Sequence, residues 1–294
     1  MSHSDKQSDY VGRFAPSPTG FLHKGSLIAA MASYCDAMKS NGKWLVRIED
    51  IDPPREITGA SEGILSTLKN YGFQFQTEIL YQSTRYKAYS KILDQLKKKP
   101  NIYTCTCSRA DLKKTTNDSH LCRNNQQTHL TPYNYKCRVP NAEVTFYDLI
   151  QGQYKSNLSH DCGDFVLKRK DKLFSYQLAV VIDDNYQGIT HIVRGIDLID
   201  STPWQIHLNS LLGYKQPIYA HIPILTDHKG QKLSKQNHAK EIDNENPLEI
   251  LINTYKYLNQ TPFKQKPKNI DQFWQHAISH WKLNKIAKVH GIKV

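Results

Sequence analysis

The chain has no apolar run of the length a membrane span needs, about 20 residues, no internal repeat and no low-complexity stretch. Its first residues, MSHSDKQSDY, are polar and lack the apolar segment of an export leader. These absences exclude an integral membrane protein of the helical kind and a solenoid, and they lead us to expect a cytoplasmic protein. Acidic residues are also in short supply: 27 Asp and Glu face 39 Lys and Arg, for a net charge of +12. Such an excess attracts polyanions, so RNA is an expected partner, although lysine-rich faces also serve plain solubility.

What is present describes an ordinary globular chain. The 294 residues, 39% hydrophobic and 22% charged, suffice for one main domain with a subdomain or two. Six cysteines without an export signal do not suggest a disulfide framework. Cys35, within an apolar helical pattern, and Cys162, beside a glycine, read as reduced structural residues.

Tyr10–Phe14 has strand character and runs into the turn APSPTG. From Ser26 a run of good helix formers follows, Gly42 suits its end, and KWLVRIE (43–49) returns to strand. Strand, helix and strand within about forty residues predict a βαβ unit of a parallel sheet. Helices are expected over 59–70 and 86–98. The texture then breaks into short polar segments with cysteines and prolines over 103–168, which reads as an insert. Sheet character is expected to resume at FSYQLAVVIDD (174–184), where Leu178–Ile182 reads as a buried strand, and at GITHIVRG (188–195). Thr202-Pro203-Trp204-Gln205 offers an N-cap and a first-turn proline for a helix. Pro217–Leu225 reads as a strand, and the last residues as short helices on a lysine-rich background.

Two segments carry chemistry. After the first strand, His23-Lys24-Gly25-Ser26 opens a helix, whose exposed N–H groups and dipole favour an anion; Gly25 permits close approach of a phosphate, and His23 can donate to phosphoryl oxygens. Far downstream, Lys232-Leu233-Ser234-Lys235 places two lysines around a serine in the loop DHKGQKLSKQNH, a cationic clamp suited to a pyrophosphate.

Taken together, in this order and across a Rossmann-like pattern with an insert, the two segments resemble the HIGH and KMSKS signatures of class I aminoacyl-tRNA synthetases. RFAPSPTG (13–20), RIEDIDPPRE (47–56) and YQLAVVIDDNYQGITHIVRGIDL (176–198) resemble the glutamyl branch. The resemblance covers 10–240 and implies an α/β fold: a Rossmann-type catalytic core in two halves, 10–102 and 169–240, split by a zinc-bearing insert over 103–168, with a short helical C-terminal region, 241–294. It implies glutamate contacts at Arg13, Ala15 and Ser17, Glu49 on the amino group, and Tyr176 and Arg194 on carboxylate. It assigns His23, Gly25, Ser26, Lys232, Ser234 and Lys235 to ATP and the charge it develops, with Mg²⁺ alongside. The chemistry agrees, because a dicarboxylic substrate calls for a guanidinium, which pairs a planar carboxylate in fork geometry.

The region after 240 is too short for the helical anticodon-binding domain of full glutamyl-tRNA synthetases. In this the chain resembles the glutamyl-queuosine tRNA(Asp) synthetases, which activate glutamate without tRNA and attach it to queuosine in the anticodon of tRNA(Asp). The rival expectations are a truncated synthetase charging the 3′ end of tRNA(Glu) and a non-catalytic RNA-binding module of the same fold. The family also holds a structural zinc where this chain has Cys105, Cys107 and Cys122. The family's tyrosine ligand is replaced by Asp118; His120 is a second candidate for the fourth position, and Cys137 a further one. A monomer is expected.

Overall fold

The computed structural model describes residues 9–76, 78–108, 111, 121–124, 132–228, 230–233, 241–242 and 246–294. Strand β1 (Val11–Phe14), helix α1 (Lys24–Lys39) and β2 (Lys43–Ile48) form the expected parallel βαβ unit, with Val11 opposite Lys43. The short β3 (Leu80–Tyr81) extends it beyond β2. Helices α2 (Ala60–Asn70) and α3 (Tyr86–Leu96) lie where the periodicity predicts them.

The chain then builds an antiparallel three-stranded unit from β4 (Ile102–Cys105), β5 (Asn134–Cys137) and β8 (Phe165–Lys168), with a single helical turn, α4 (Leu121–Asn124), against β4. Between β5 and β8, β6 (Glu143–Asp148) and β7 (Gly152–Asn157) form a hairpin that leaves this unit. β6 instead pairs parallel with β10 (Ile218–Ile222), Asp148 opposite Tyr219, and β10 pairs parallel with β9 (His191–Gly195). The β9 end of this sheet reaches β1, where the Thr190 N–H donates to the Val11 carbonyl at 2.9 Å. The carboxyl ends of β1, β2, β9 and β10 thus open together, the position where α/β sheets bind ligands.

Three expectations are corrected here. The segment read as a strand at Leu178–Ile182 is the middle of helix α5 (Tyr176–Tyr186), capped by the Ser175 hydroxyl. Leu178, Ala179, Val180, Val181 and Ile182 are all buried. A helical segment buried on every side, as 178–184 is, has no exposed polar face to show in the sequence, so a short apolar run of this kind reads equally as strand. Thr202 does not cap the next helix, α6 (Thr202–Leu212); a 3₁₀ turn over Ile196–Ser201 leads directly into it, and the Thr202 hydroxyl serves Arg194. The strand expected over 217–225 is broken at Pro223, which supplies no N–H, into β10 and β11 (Ile224–Thr226).

The C-terminal helices α7 (Pro247–Tyr257) and α8 (Ile270–Ser279) pack on α1 and share its core. Tyr34, Trp44, Phe73 and Trp274 form an aromatic cluster with centroids 4.8–5.5 Å apart. Asp36 accepts from Tyr10 at 2.6 Å and from Trp281 at 2.9 Å, tying the first strand to the region after α8. A last strand, β12 (Gly291–Lys293), runs parallel to β11. Among the described residues no helix is long and apolar enough to cross a membrane.

Candidate active site

A cavity of about 840 Å³ lies over the carboxyl ends of the central strands. It brings together residues from widely separated segments: Arg13, Ala15 and Ser17 after β1, His23, Gly25 and Ser26 at the start of α1, and Glu49 after β2. Tyr176 from α5, Arg194 from β9 and Lys232 from the late loop complete it. Ser234 and Lys235 lie outside the described residues.

His23 is the N-cap of α1. Its Nδ1 accepts from the Ser26 N–H at 3.3 Å, and the Ser26 hydroxyl lies 3.1 Å from Nε2, so the ring is held over the helix start. A Cβ on Gly25 would stand 2.6 Å from the Leu233 carbonyl oxygen. The sequence suggests that this glycine makes room for a phosphate, but the closest neighbour is the backbone of the other signature segment. Lys232, beside it, pairs with Asp197 at 2.5 Å at the cavity mouth.

On the β1–β2 side, the polar groups form a closed set of charges. Asp184 Oδ1 accepts from Arg47 Nη1 at 2.8 Å and from Arg13 Nε at 3.4 Å, and Arg47 Nη2 donates to Glu49 at 3.1 Å. Burial alone would raise the Asp184 carboxyl, but Arg47 and Arg13 hold it below the ordinary range. Burial does raise Glu49, with Arg47 and Arg13 opposing it. The two arginines therefore keep two sequestered carboxylates compatible with the fold, as buried charges require.

Arg194 differs. Its Nε donates to His221 Nε2 at 3.0 Å, and Nη2 donates to the Thr202 hydroxyl at 2.9 Å and to the Leu198 carbonyl at 3.3 Å. Nη1 lies 3.4 Å from the Tyr176 hydroxyl, on the cavity side. Among the described residues no carboxylate pairs with this guanidinium. The fork edge formed by Nε and Nη2 is already occupied by neutral acceptors, which leaves Nη1 with the Tyr176 hydroxyl at the cavity.

Sequence reasoning passes over Arg47, Asp184, His221 and Asp148, and takes Thr202 for a helix cap. The first two had a signal, since an arginine inside the strand KWLVRI and paired aspartates in an apolar segment each demand a partner when buried. His221 and Asp148 had none beyond being polar residues in strands.

In the antiparallel unit, the sulfurs of Cys105, Cys107 and Cys122 lie within 4.8 Å of one another, with Cys107 and Cys122 3.7 Å apart. Burial and then the neighbouring thiols push Cys107 up to about 12. Three thiols so placed fit three corners of a tetrahedral zinc site, where Zn–S is about 2.3 Å. Cys137 is not part of this group: it is buried on β5 and its thiol donates to the Arg138 carbonyl. Cys35 and Cys162 are free thiols. His120 and Asp118 lie outside the described residues.

The fold agrees with what comparison with other proteins finds. Residues 10–250 match the family described as tRNA synthetases class I (E and Q), catalytic domain. The chain belongs to this family. As a class I synthetase it is a ligase. It is 45% identical over 295 residues to the glutamyl-Q tRNA(Asp) synthetase of Neisseria meningitidis serogroup C, covering 96% of this chain and 99% of that protein. It is 43% identical to the protein of the same name from Pseudomonas fluorescens, over 93% and 92% of the two chains. In fold it resembles a glutamate tRNA ligase from Elizabethkingia meningosepticum, with a TM-score of 0.82 and 24% identity over 97% of this chain and 67% of that one.

Proposed function

We propose that this synthetase activates L-glutamate with ATP, without the help of tRNA, and transfers the glutamyl group to queuosine in the anticodon of tRNA(Asp). The observation that carries the amino-acid assignment is Arg194, a buried guanidinium at the cavity with no carboxylate partner among the described residues. A substrate carboxylate supplies the missing charge, with the Tyr176 hydroxyl donating beside Nη1. Glutamine would leave that charge unpaired, which is how such a site rejects an isostere. Glu49, held by Arg47, takes the substrate ammonium group, while Arg13, Ala15 and Ser17 line the adjoining wall.

In the first step an α-carboxylate oxygen of glutamate attacks the α-phosphorus of ATP, and the bond to the β-phosphate oxygen breaks. This gives glutamyl-adenylate and pyrophosphate. No protein nucleophile is needed, so catalysis is positioning and charge stabilisation. His23 donates to phosphoryl oxygens, with Gly25 and Ser26 at the helix start beneath it. Lys232, Ser234 and Lys235 act on the pyrophosphate, with Mg²⁺ providing further neutralisation when bound. In the second step a hydroxyl of the modified base attacks the acyl carbon and AMP leaves. Cys105, Cys107 and Cys122 would hold a structural zinc, with His120 or Asp118 as the fourth ligand, tying together the insert that we place over 103–168 between the two halves of the core. The transfer target rests on the relatives, which are named for tRNA(Asp) and match this chain over nearly their full length.

The test is to incubate the protein with ATP, Mg²⁺ and labelled glutamate, offering tRNA(Asp) with queuosine, the same tRNA without it, and tRNA(Glu). Label on the queuosine-containing tRNA alone is the expected result. Label on tRNA(Glu) would instead make this a synthetase of the conventional kind.

A further inference from the structure

Three adjacent parallel strands, β6, β10 and β9, carry Asp148, His221 and Arg194 at or next to their last positions, and these side chains form a hydrogen-bonded line. His221 stands opposite Arg194 in the β10–β9 register. The Asp148 Oδ2 lies 2.6 Å from His221 Nδ1, and His221 Nε2 lies 3.0 Å from Arg194 Nε. All three side chains are buried. Asp148 is fixed in turn by backbone: its Oδ1 accepts the N–H groups of Ile150 at 3.0 Å, Gln151 at 2.9 Å and His221 at 3.1 Å.

The donor and acceptor roles along this line are forced. Arginine nitrogens only donate, so His221 Nε2 must be the bare nitrogen and Nδ1 must carry the proton, which it gives to the Asp148 carboxylate. A carboxylate accepting three backbone N–H groups remains ionised, and burial lowers the His221 pKa to about 4, so the ring is neutral near pH 7. The neutral ring is the informative part. Arg13 and Arg47 each touch a carboxylate directly and are spent on it. Here an uncharged imidazole separates the carboxylate from the guanidinium. Arg194 is oriented by an acceptor that does not neutralise it, and its charge remains for a ligand.

We infer that Asp148 and His221 are positioning residues for glutamate, which hold Arg194 in place through the Nδ1–H tautomer of His221 while preserving its positive charge for the substrate side-chain carboxylate. This inference rests on the glutamate reading above. Neither residue touches the substrate; each acts through Arg194.

The decisive variant is Asp148→Asn. It keeps the shape and an oxygen for the backbone N–H groups, but its amide nitrogen donates to Nδ1. The imidazole must then carry its proton on Nε2, facing the Arg194 N–H, donor against donor. A companion, His221→Phe, removes both hydrogen bonds and keeps a ring in the core, and His221→Gln restores an acceptor near Nε2. Glutamate-dependent pyrophosphate–ATP exchange is measured for each, with thermal melting to verify the fold. Asp148→Asn and His221→Phe are expected to raise the KM for glutamate roughly tenfold to a hundredfold, the worth of a hydrogen bond to a charged group. They are also expected to lower the preference for glutamate over glutamine and to leave the KM for ATP unchanged, while His221→Gln recovers part of the loss. An unchanged glutamate KM in folded Asp148→Asn and His221→Phe proteins would overturn the inference and leave the glutamate reading standing. Should Asp148→Asn not fold, the comparison of His221→Phe with His221→Gln decides, and equal glutamate KM values in those two overturn it. Wild-type protein that exchanges equally well without glutamate would overturn the glutamate reading and the positioning role together.

Discussion

The Cβ that Gly25 lacks would lie 2.6 Å from the carbonyl oxygen of Leu233, so the two signature segments, more than two hundred residues apart in the chain, are in backbone contact. Leu233 is itself held by its N–H on the Leu225 carbonyl at 2.8 Å, and the Ile242 N–H donates to the Leu22 carbonyl at 3.0 Å on the other side of the loop. A backbone oxygen cannot swing aside as the end of a lysine can. Gly25→Ala is therefore expected to displace the lysine loop. Pyrophosphate–ATP exchange at saturating glutamate should fall at least about tenfold, and the melting temperature should fall as well, because a methyl group forced against packed backbone is overpacking. Steady-state kinetics and a melting curve on the same preparation check both halves.

Arg194 and Arg47 are both buried arginines, and their removal should have opposite consequences. Arg194→Ala leaves behind only neutral partners, His221, Thr202 and a carbonyl. The fold should survive, and glutamate-dependent exchange should drop roughly a hundredfold or more. Arg47→Met strands Glu49 and leaves Asp184 with Arg13 at 3.4 Å, so stability should fall by about 3–5 kcal/mol in urea titration. A stable Arg47→Met protein would contradict the charge arrangement described here.

His221 also predicts a dependence of stability on pH. Its pKa falls from an ordinary 6.5 to about 4 in the folded protein, chiefly by burial. Between those values the unfolded chain takes up the proton and the folded one does not. The contribution of His221 is thus complete above pH 6.5 and is lost as pH falls toward 4, on the order of 3 kcal/mol. Urea titrations of wild type and His221→Gln at pH 7.5 and pH 4.5 should show the gap between them narrowing at the lower pH.

The thiol cluster predicts metal content. Protein purified without chelator should carry zinc, and Cys107→Ser or Cys122→Ser should lose most of it and melt at a lower temperature. Cys137→Ser should keep it, because that thiol lies outside the cluster. Elemental analysis of the three variants checks this, and zinc uptake by stripped protein should release protons, since Cys107 is protonated in its absence.

Much of the fold was legible in the sequence because its first half alternates patterns with clear punctuation. β1, α1 and β2 are separated by Pro-rich and Gly turns, and each shows its own period. α5 was not legible, because LAVVI is apolar on every side and carries no periodicity at all. The candidate site divides in a similar way. His23, Glu49, Tyr176 and Arg194 sit in recognisable blocks, and the cavity holds all four. The groups that set their charge and orientation, Asp184, Asp148 and His221, become visible only once strands distant in sequence are laid side by side. No local pattern records that Asp148 will face His221 across β6 and β10.

The pairing of β12 with β11 has a practical side for anyone handling this protein. β11 leads straight into the lysine loop, and the Val294 N–H donates to the Thr226 carbonyl at 3.0 Å. A purification tag or fluorescent fusion attached after Val294 would pull on the strand that anchors Lys232. Assays of adenylate formation are therefore better run on protein tagged ahead of β1, with the last strand left undisturbed.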